Sequence, residues 1–327
     1  MKKILLIPIS LFMVILLFVL PIVSMHFYPK NFTKVSTTQQ TQKKQQENEP
    51  PCEVYITVEG IKDPLPLEQY IAGVISAEMP SSFHLEALEA QAIASRTFVL
   101  KVTENGQKAI KPSVLHQVFE SKQQRKKKWG VNFNKNEKKI QQAVGTTAGE
   151  ILTYNGELIT AMFFSTSNGK TESAEEYSGQ DIPYLQTVTV EGEKELSPNY
   201  IQNTDFSLPQ WNTAFNFQWS AEQLNAIKLT RNSSNRVQTM QVGSYSWTGR
   251  EIREKLNIPS TDFTIYWKPA QNKITVTTVG YGHGVGMSQY GAEALAREGV
   301  QAKDILKHFY KKASITSIKN NKNICLN

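Results

Sequence analysis

Three stretches of this chain gather side chains that could do chemistry. Ser76-Ala77-Glu78-Met79-Pro80 sets a lone glutamate just before a proline. Ser165-Thr166-Ser167-Asn168-Gly169-Lys170-Thr171-Glu172 is a run of hydroxyls and turn formers. Gly280-Tyr281-Gly282-His283-Gly284-Val285-Gly286 carries four glycines in seven residues around His283, and Ser288, Gln289 and Tyr290 follow at once. A carboxyl group kept partly protonated near neutral pH is what general-acid chemistry requires. Hydroxyls, an amide and aromatic faces suit a neutral polyhydroxy ligand. The plain alternatives are a surface glutamate ending a helix and a buried, hydrogen-bonded histidine.

Other chemistries find little support. The glycine-rich stretch lacks the Lys-Ser/Thr of a phosphate loop, and its glycines do not follow the dinucleotide order. His26, His84, His116, His283 and His308 are scattered, with no pair at metal-binding spacing and no cysteine beside them. No metal or cofactor is therefore expected. Neither Cys52 nor Cys325 has a catalytic setting, and no G-x-S-x-G elbow occurs. Glu86 and Glu89 are either second acids or parts of a solvated helix face.

The elements that must hold these groups can be read from periodicity. Leu67, Ile71, Val74 and Ile75 form an apolar stripe at helical spacing, and Pro80 stops that helix because the residue before a proline avoids the α region. Leu85, Leu88, Ala92, Phe98 and Val99 mark a second helix that can pack back on the first. Glu78 then stands at the corner of a helical hairpin, near the negative end of a helix dipole, which favours its protonated form. Around this pair we expect a strand over Glu53 to Val58, a polar loop over Glu104 to Asn136, and a short helix over Glu137 to Val144 with Asn136 as a cap. A hairpin of Ile151 to Tyr154, Asn155-Gly156 and Glu157 to Phe164 follows. Residues 179–269 read as a second lobe, with a helix over Ala221 to Leu229, a strand over Val237 to Trp247 and a helix over Arg250 to Leu256. A strand over Ile274 to Val279 enters the glycine loop, and helices over Ser288 to Arg297 and Ala302 to Tyr310 close the domain.

The chain has 327 residues and a formal charge of +7. Lys2 and Lys3 precede an apolar run of roughly 20 residues, the length that spans a bilayer. We expect residues 1–28 to be a single-pass anchor with its N-terminus cytoplasmic, a cleaved signal peptide being the alternative. Residues 29–51 read as a disordered linker, 52–315 as a two-lobed α+β extracytoplasmic domain with a substrate groove, and 316–327 as a tail. A basic surface outside the membrane meets anionic polymers or lipid head groups rather than nucleic acid. Arg125-Lys126-Lys127-Lys128 beside Trp129 is either a solvated loop or an attraction for an acidic wall polymer. Cys52 and Cys325 either bridge the ends of the domain or stay free.

Taken in order, the Glu78 motif with Glu86-Ala87-Leu88-Glu89-Ala90-Gln91-Ala92 and Arg96-Thr97, the hydroxyl run, and the stretch from Gly280 to Ala292 closely resemble the stage II sporulation protein D family. The domain is shared with proteins that enhance wall amidases. The resemblance implies a membrane-anchored lytic transglycosylase that cleaves the β-1,4 bond between N-acetylmuramic acid and N-acetylglucosamine and leaves 1,6-anhydro ends. Its setting is forespore engulfment in the septal space, on strands stripped of stem peptides, in a membrane complex with sporulation proteins P and M. It implies Glu78 as the catalytic acid. Arg96, Ser165, Thr166, Ser167, Tyr184, His283, Ser288, Gln289 and Tyr290 are the implied substrate-binding residues, with a packed structural role the alternative for Arg96. Some members carry a Cys/His zinc cluster before a Gln-Val-aromatic segment. Here Leu115-His116-Gln117-Val118-Phe119 keeps the segment without cysteines, so zinc is not expected. The stretch after Leu185 also lacks the usual Ser-Pro-Trp.

Overall fold

The computed structural model describes residues 53–113, 116–321 and 324, all within the unit that begins at Pro51. The anchor expected over residues 1–28, the linker to residue 51, and Cys52 and Cys325 lie outside the described residues. Among the described residues no helix is long and apolar enough to cross a membrane.

A short antiparallel pair, β1 (Tyr55–Ile56) and β2 (Leu65–Pro66), leads into α1 (Leu67–Glu78) and α2 (Leu85–Val102). The helix stripe is where the periodicity puts it: Leu67, Ile71, Val74 and Ile75 are all buried, joined by Tyr70. The second helix is buried on nearly every side from Ala87 to Thr97, which marks it as the central rod of the first core. Its small residues Ala87, Ala90, Ala92 and Ala94 let neighbouring elements approach closely.

The stretch read as a polar loop holds another helix, α3 (Lys122–Trp129), joined by a single 3-10 turn to α4 (Phe133–Thr146). Its signal was a capping box: the Ser121 hydroxyl accepts from the Gln124 N–H while the Gln124 side chain accepts from the Ser121 N–H. Helix α4 accordingly starts earlier than expected, and Asn136 lies inside it.

The hairpin of β3 (Glu150–Tyr154) and β4 (Glu157–Leu158) turns through Asn155 and Gly156, both at positive φ. Its second strand is shorter than expected. Phe163–Phe164 forms its own strand, β5, which pairs in parallel with a segment near the C-terminus. Two short helices, α5 (Ala174–Ser178) and α6 (Glu193–Leu196), come next.

A second set of elements follows: β6 (Ile201–Ser207), α7 (Leu208–Phe215), α8 (Ala221–Asn225), β7 (Lys228–Arg231), β8 (Val237–Val242), β9 (Tyr245–Thr248), α9 (Gly249–Leu256), β10 (Phe263–Lys268) and β11 (Lys273–Val279). The helix expected to reach Leu229 ends at Asn225, because Lys228 to Arg231 pair with β8 instead. The strand expected over Val237 to Trp247 folds into a hairpin at Gly243, whose φ is +57°. Strands β10, β11 and β6 form one antiparallel sheet in that order, and β7, β8 and β9 another.

The chain then returns to the first core through β12 (Met287–Ser288), α10 (Gln289–Arg297), α11 (Ala302–Phe309) and β13 (Ser314–Ser317). Strand β12 lies beside β5, and β13 beside β3. Both terminal helices pack on α2, as do α1, α4 and β3. Since β13 is part of a sheet and Ile318 is buried, the fold runs past residue 315. Buried apolar side chains fall into two cores, one around α2 and one built on Trp211, Met240, Ile252, Phe263 and Val276. The mixed α+β class expected from the sequence holds.

Candidate active site

Glu78 is the last residue of α1. Met79 leaves the helix with φ −126° and ψ 146°, the extended geometry that a following proline imposes. The corner is tied down beyond it. The Phe83 N–H donates to the Pro80 carbonyl at 3.0 Å, and the His84 N–H donates to Glu293 Oε2 at 2.6 Å, which fastens the start of α2 to α10.

The Glu78 carboxylate is half-buried and has two donors. Val118 N–H donates to Oε1 at 3.0 Å, and Gln289 Nε2 donates to Oε2 at 3.4 Å. Burial raises its pKa above the ordinary carboxylate range, and the two hydrogen bonds pull it back only in part. Burial is the main cause that raises it, whereas the sequence pointed to the helix dipole. Tyr70, two turns back on the same helix, has its hydroxyl pushed upward by burial and by the Glu78 charge.

The Val118 N–H is delivered by a strap, residues 117–120, laid across α1. Gln117 is buried. Its Oε1 accepts from the Tyr70 hydroxyl at 3.1 Å, and its Nε2 donates to the Ser95 carbonyl at 3.1 Å. Phe119 stacks on the Tyr70 ring, with centroids 5.5 Å apart and planes 4° from parallel. The crossing is possible because residue 73 is glycine: a Cβ there would stand 2.2 Å from Phe119 Cε2. Glu120 N–H closes the strap on the Gly73 carbonyl at 3.2 Å.

Gln289 opens α10, three residues after the glycine-rich loop. That loop is sewn to the hydroxyl run through its backbone: Thr166 N–H donates to the Tyr281 carbonyl at 2.9 Å, and Tyr281 N–H returns the bond at 2.7 Å. Gly286, at φ +82°, sits where any Cβ would strike the Met162 carbonyl at 2.0 Å, so only glycine lets the chain pass to β12. Tyr290 N–H donates to the Ser165 carbonyl at 3.0 Å, and the Tyr290 ring meets Phe83 edge-on at 5.0 Å. Glu78, Gln289, Tyr290 and Phe83 thus meet at one corner, with Ser165 behind them.

Other residues expected to bind substrate point elsewhere. Ser167 and Ser288 both donate their hydroxyls to Glu193, a buried carboxylate on α6, and Ser167 N–H adds a third bond at 3.1 Å. Thr166 is buried against the Ser197 hydroxyl at 2.9 Å. These three side chains build the interior beneath the loop. Burial raises the Glu193 pKa, and the serine donors oppose that only in part. The His283 Nδ1 accepts from Val285 N–H at 3.1 Å, which leaves Nε2 as the proton-bearing nitrogen donating to the Phe163 carbonyl at 2.9 Å. Burial first, then nearby arginines led by Arg253, lower its pKa to about 4. His283 is a neutral staple with both ring nitrogens spent. Tyr184 uses its hydroxyl to accept from Thr160 N–H at 3.1 Å.

Arg96 is a correction. It is fully buried and forks onto Glu68, Nε to Oε1 at 2.9 Å and Nη2 to Oε2 at 2.5 Å, while Nη1 donates to the Glu150 carbonyl at 3.0 Å. Glu68 is ten residues before Glu78 on one helix, about 15 Å along its axis. The guanidinium therefore locks the far end of α1 to β3. Glu86 caps α11 by accepting from Ala302 N–H at 2.8 Å. Glu89 is buried beside Thr146. Neither is a partner of Glu78. Hollows lined by Thr153, Asn155 and Lys312, and by Tyr55, Leu67 and Lys319, contain none of the expected site residues.

Sequence reasoning missed the Val118 N–H, Tyr70, Gln117 and Glu193. A backbone donor has no residue signature, and Glu193 stands in Glu191-Gly192-Glu193-Lys194-Glu195, which reads as solvated charge. Tyr70 was findable, since it lies on the apolar face eight residues before Glu78.

The family model described as stage II sporulation protein matches residues 57–154. A stage II sporulation protein D of Bacillus amyloliquefaciens is 42% identical over 270 residues, covering 80% of this chain and 78% of its own. One of Bacillus subtilis is 41% identical over the same length and shares. The amidase enhancer of Bacillus subtilis is 28% identical over 302 residues, 76% of this chain but 40% of its own. The matched region holds α1, the strap that crosses it and α2, and the chain belongs to the stage II sporulation protein D family.

Proposed function

We propose that this protein is a lytic transglycosylase of peptidoglycan, acting during forespore engulfment on glycan strands stripped of stem peptides. The observation that carries the reading is the environment of Glu78, a carboxyl raised by burial and aimed by one peptide N–H and one carboxamide. Among the described residues its hydrogen-bond partners include no second acid. A single acid suffices when the substrate brings its own nucleophile.

Protonated Glu78 gives its proton to the glycosidic oxygen as the bond from C1 of N-acetylmuramic acid breaks. The resulting carboxylate takes the proton of that sugar's C6 hydroxyl, whose oxygen closes on C1. The acid is regenerated, no water is consumed, and a 1,6-anhydro end remains. Gln289 and the Val118 N–H steady the carboxylate in its charged phase, while burial favours the neutral one. Tyr290 and Phe83 offer aromatic faces to the sugar rings.

In this proposal residues 1–28 hold the protein in the cell membrane, N-terminus inside, and the domain works in the septal space with sporulation proteins P and M. The likeness to an amidase enhancer favours a second reading, a glycan-binding module that activates a partner amidase without cutting. Incubating the purified chain alone with peptide-free glycan separates the two. Anhydro-muramic ends in the product masses mark the enzyme; binding without products marks the module.

A further inference from the structure

The hairpin of α3 and α4 carries the densest positive charge that the proposed chemistry leaves unused. Its one acid, Glu137, and Glu120 of the adjoining strap are both consumed. Glu137 takes a two-pronged bond from Arg125 at 2.9 and 2.7 Å, and Glu120 takes Lys128 at 3.0 Å. Lys122, Lys126, Lys127, Lys135 and Lys138 are exposed, and among the described residues none of their ammonium groups makes an ion pair or hydrogen bond. Four of these lie within about 9 Å of the 3-10 turn at the tip, counted along the helices. The tip, Gly130-Val131-Asn132, is exposed throughout and presents one apolar side chain. Val131 is fully exposed, at 101% of its reference area, and the half-buried rings of Trp129 and Phe133 lie 6.3 Å apart just below it.

A single exposed valine is ordinary, and so is a solvated lysine. Their arrangement is not: an outward valine at the turn, over an aromatic pair and flanked by lysines without ion-pair partners, is the layout of a segment that seats in a bilayer interface. We propose that this hairpin docks on an anionic lipid surface, with Val131 entering the headgroup layer and the lysines pairing with lipid phosphates. A soluble polyanion would reward the lysines and leave the valine unused, which is why the lipid is favoured. The hairpin is rigidly joined to the candidate site, since Lys128 Nζ also donates to the Ser76 carbonyl at 2.9 Å, two residues before Glu78. Docking would hold the Glu78 corner near the membrane face. The inference holds whether or not Glu78 is catalytic.

The test uses the full chain with Cys52→Ser, Cys325→Ser and Val131→Cys, the new thiol carrying an environment-sensitive fluorophore. Vesicles are of phosphatidylcholine alone or with one third phosphatidylglycerol. The account expects a blue shift, and quenching by nitroxide-bearing lipid, only with phosphatidylglycerol. Raising salt from about 0.1 M to about 0.5 M should reverse it. Lys126→Gln/Lys127→Gln/Lys135→Gln should lower the docked-to-free ratio roughly a hundredfold. The same label at Tyr266→Cys, exposed on β10, should not respond. No response at position 131, an equal response in both vesicles, or equal quenching at 266 overturns the proposal. So does a response to soluble poly(glycerol phosphate) without one to vesicles, which would assign the lysines to a wall polymer.

Discussion

Replacing Gly73 with alanine probes how the fold sets the acid. In an open helix interior this change stabilises by about 1 kcal/mol. At Gly73 the added Cβ would lie 2.2 Å from Phe119 Cε2 and 2.9 Å from the Glu120 carbonyl oxygen. Carbon pairs rest at about 3.5–4.0 Å, so the strap must retreat by more than about 1 Å. Phe119 cannot swing aside cheaply, because it is stacked on Tyr70 and the second obstacle is backbone. Overpacking of this sort costs about 1–3 kcal/mol, which leaves Gly73→Ala between neutral and about 2 kcal/mol less stable. The functional consequence follows from the Val118 N–H that the strap carries. That bond lowers the Glu78 pKa, so losing it raises the pKa further. Because Glu78 must be protonated to start the reaction, the alkaline fall in rate should move to higher pH while the maximum rate drops. Urea unfolding and a pH–rate profile of anhydro-product formation read both effects. A variant about 1 kcal/mol more stable, with an unmoved alkaline limb, would refute the reasoning.

Gln289→Ala removes the second donor to Glu78, and the hydrogen-bond range predicts a loss of up to about tenfold in rate with the alkaline limb again displaced upward; unchanged kinetics would remove Gln289 from the site. Glu68→Ala strands the buried Arg96 guanidinium and should cost about 3 kcal/mol in urea unfolding, without changing the glycan affinity of the folded fraction. Glu193 has a raised folded-state pKa, so it adds stability below the unfolded value near 4.5 that is lost as pH rises through the higher folded value. The stability of the native chain relative to Glu193→Gln should therefore decline from about pH 4 upward, in denaturation series at several pH values, whereas a flat difference would contradict the burial of that carboxylate.

What the sequence made legible was local. Apolar spacing at Leu67, Ile71, Val74 and Ile75, with Pro80 as a stop, located α1 and left Glu78 at its end. The strand–loop–helix order around residues 274–297 was equally plain, because β-branched residues, glycines and an alanine-rich helix follow one another. Helix α3 was hidden by its lysines, which leave too few apolar residues for a periodic stripe; only the Ser121–Gln124 box betrayed it. Residues far apart in sequence were the harder problem. Glu193 is reached from Ser167 and Ser288, across 26 and 95 residues. Val118 reaches Glu78 across 40. Arg96 and His283 have the right chemistry for a ligand, but the fold spends it on Glu68, Glu150, Phe163 and Val285.

One half-buried carboxyl that alternately gives up and regains a proton is the core of this account. The most direct trial compares the native chain with Glu78→Gln on peptide-free glycan, following both strand binding and product masses. The account predicts that the glutamine variant binds the strands and yields no anhydro-muramic ends, while the native chain yields them without any partner. Anhydro ends from the variant at the native rate, or none from either protein, would contradict it.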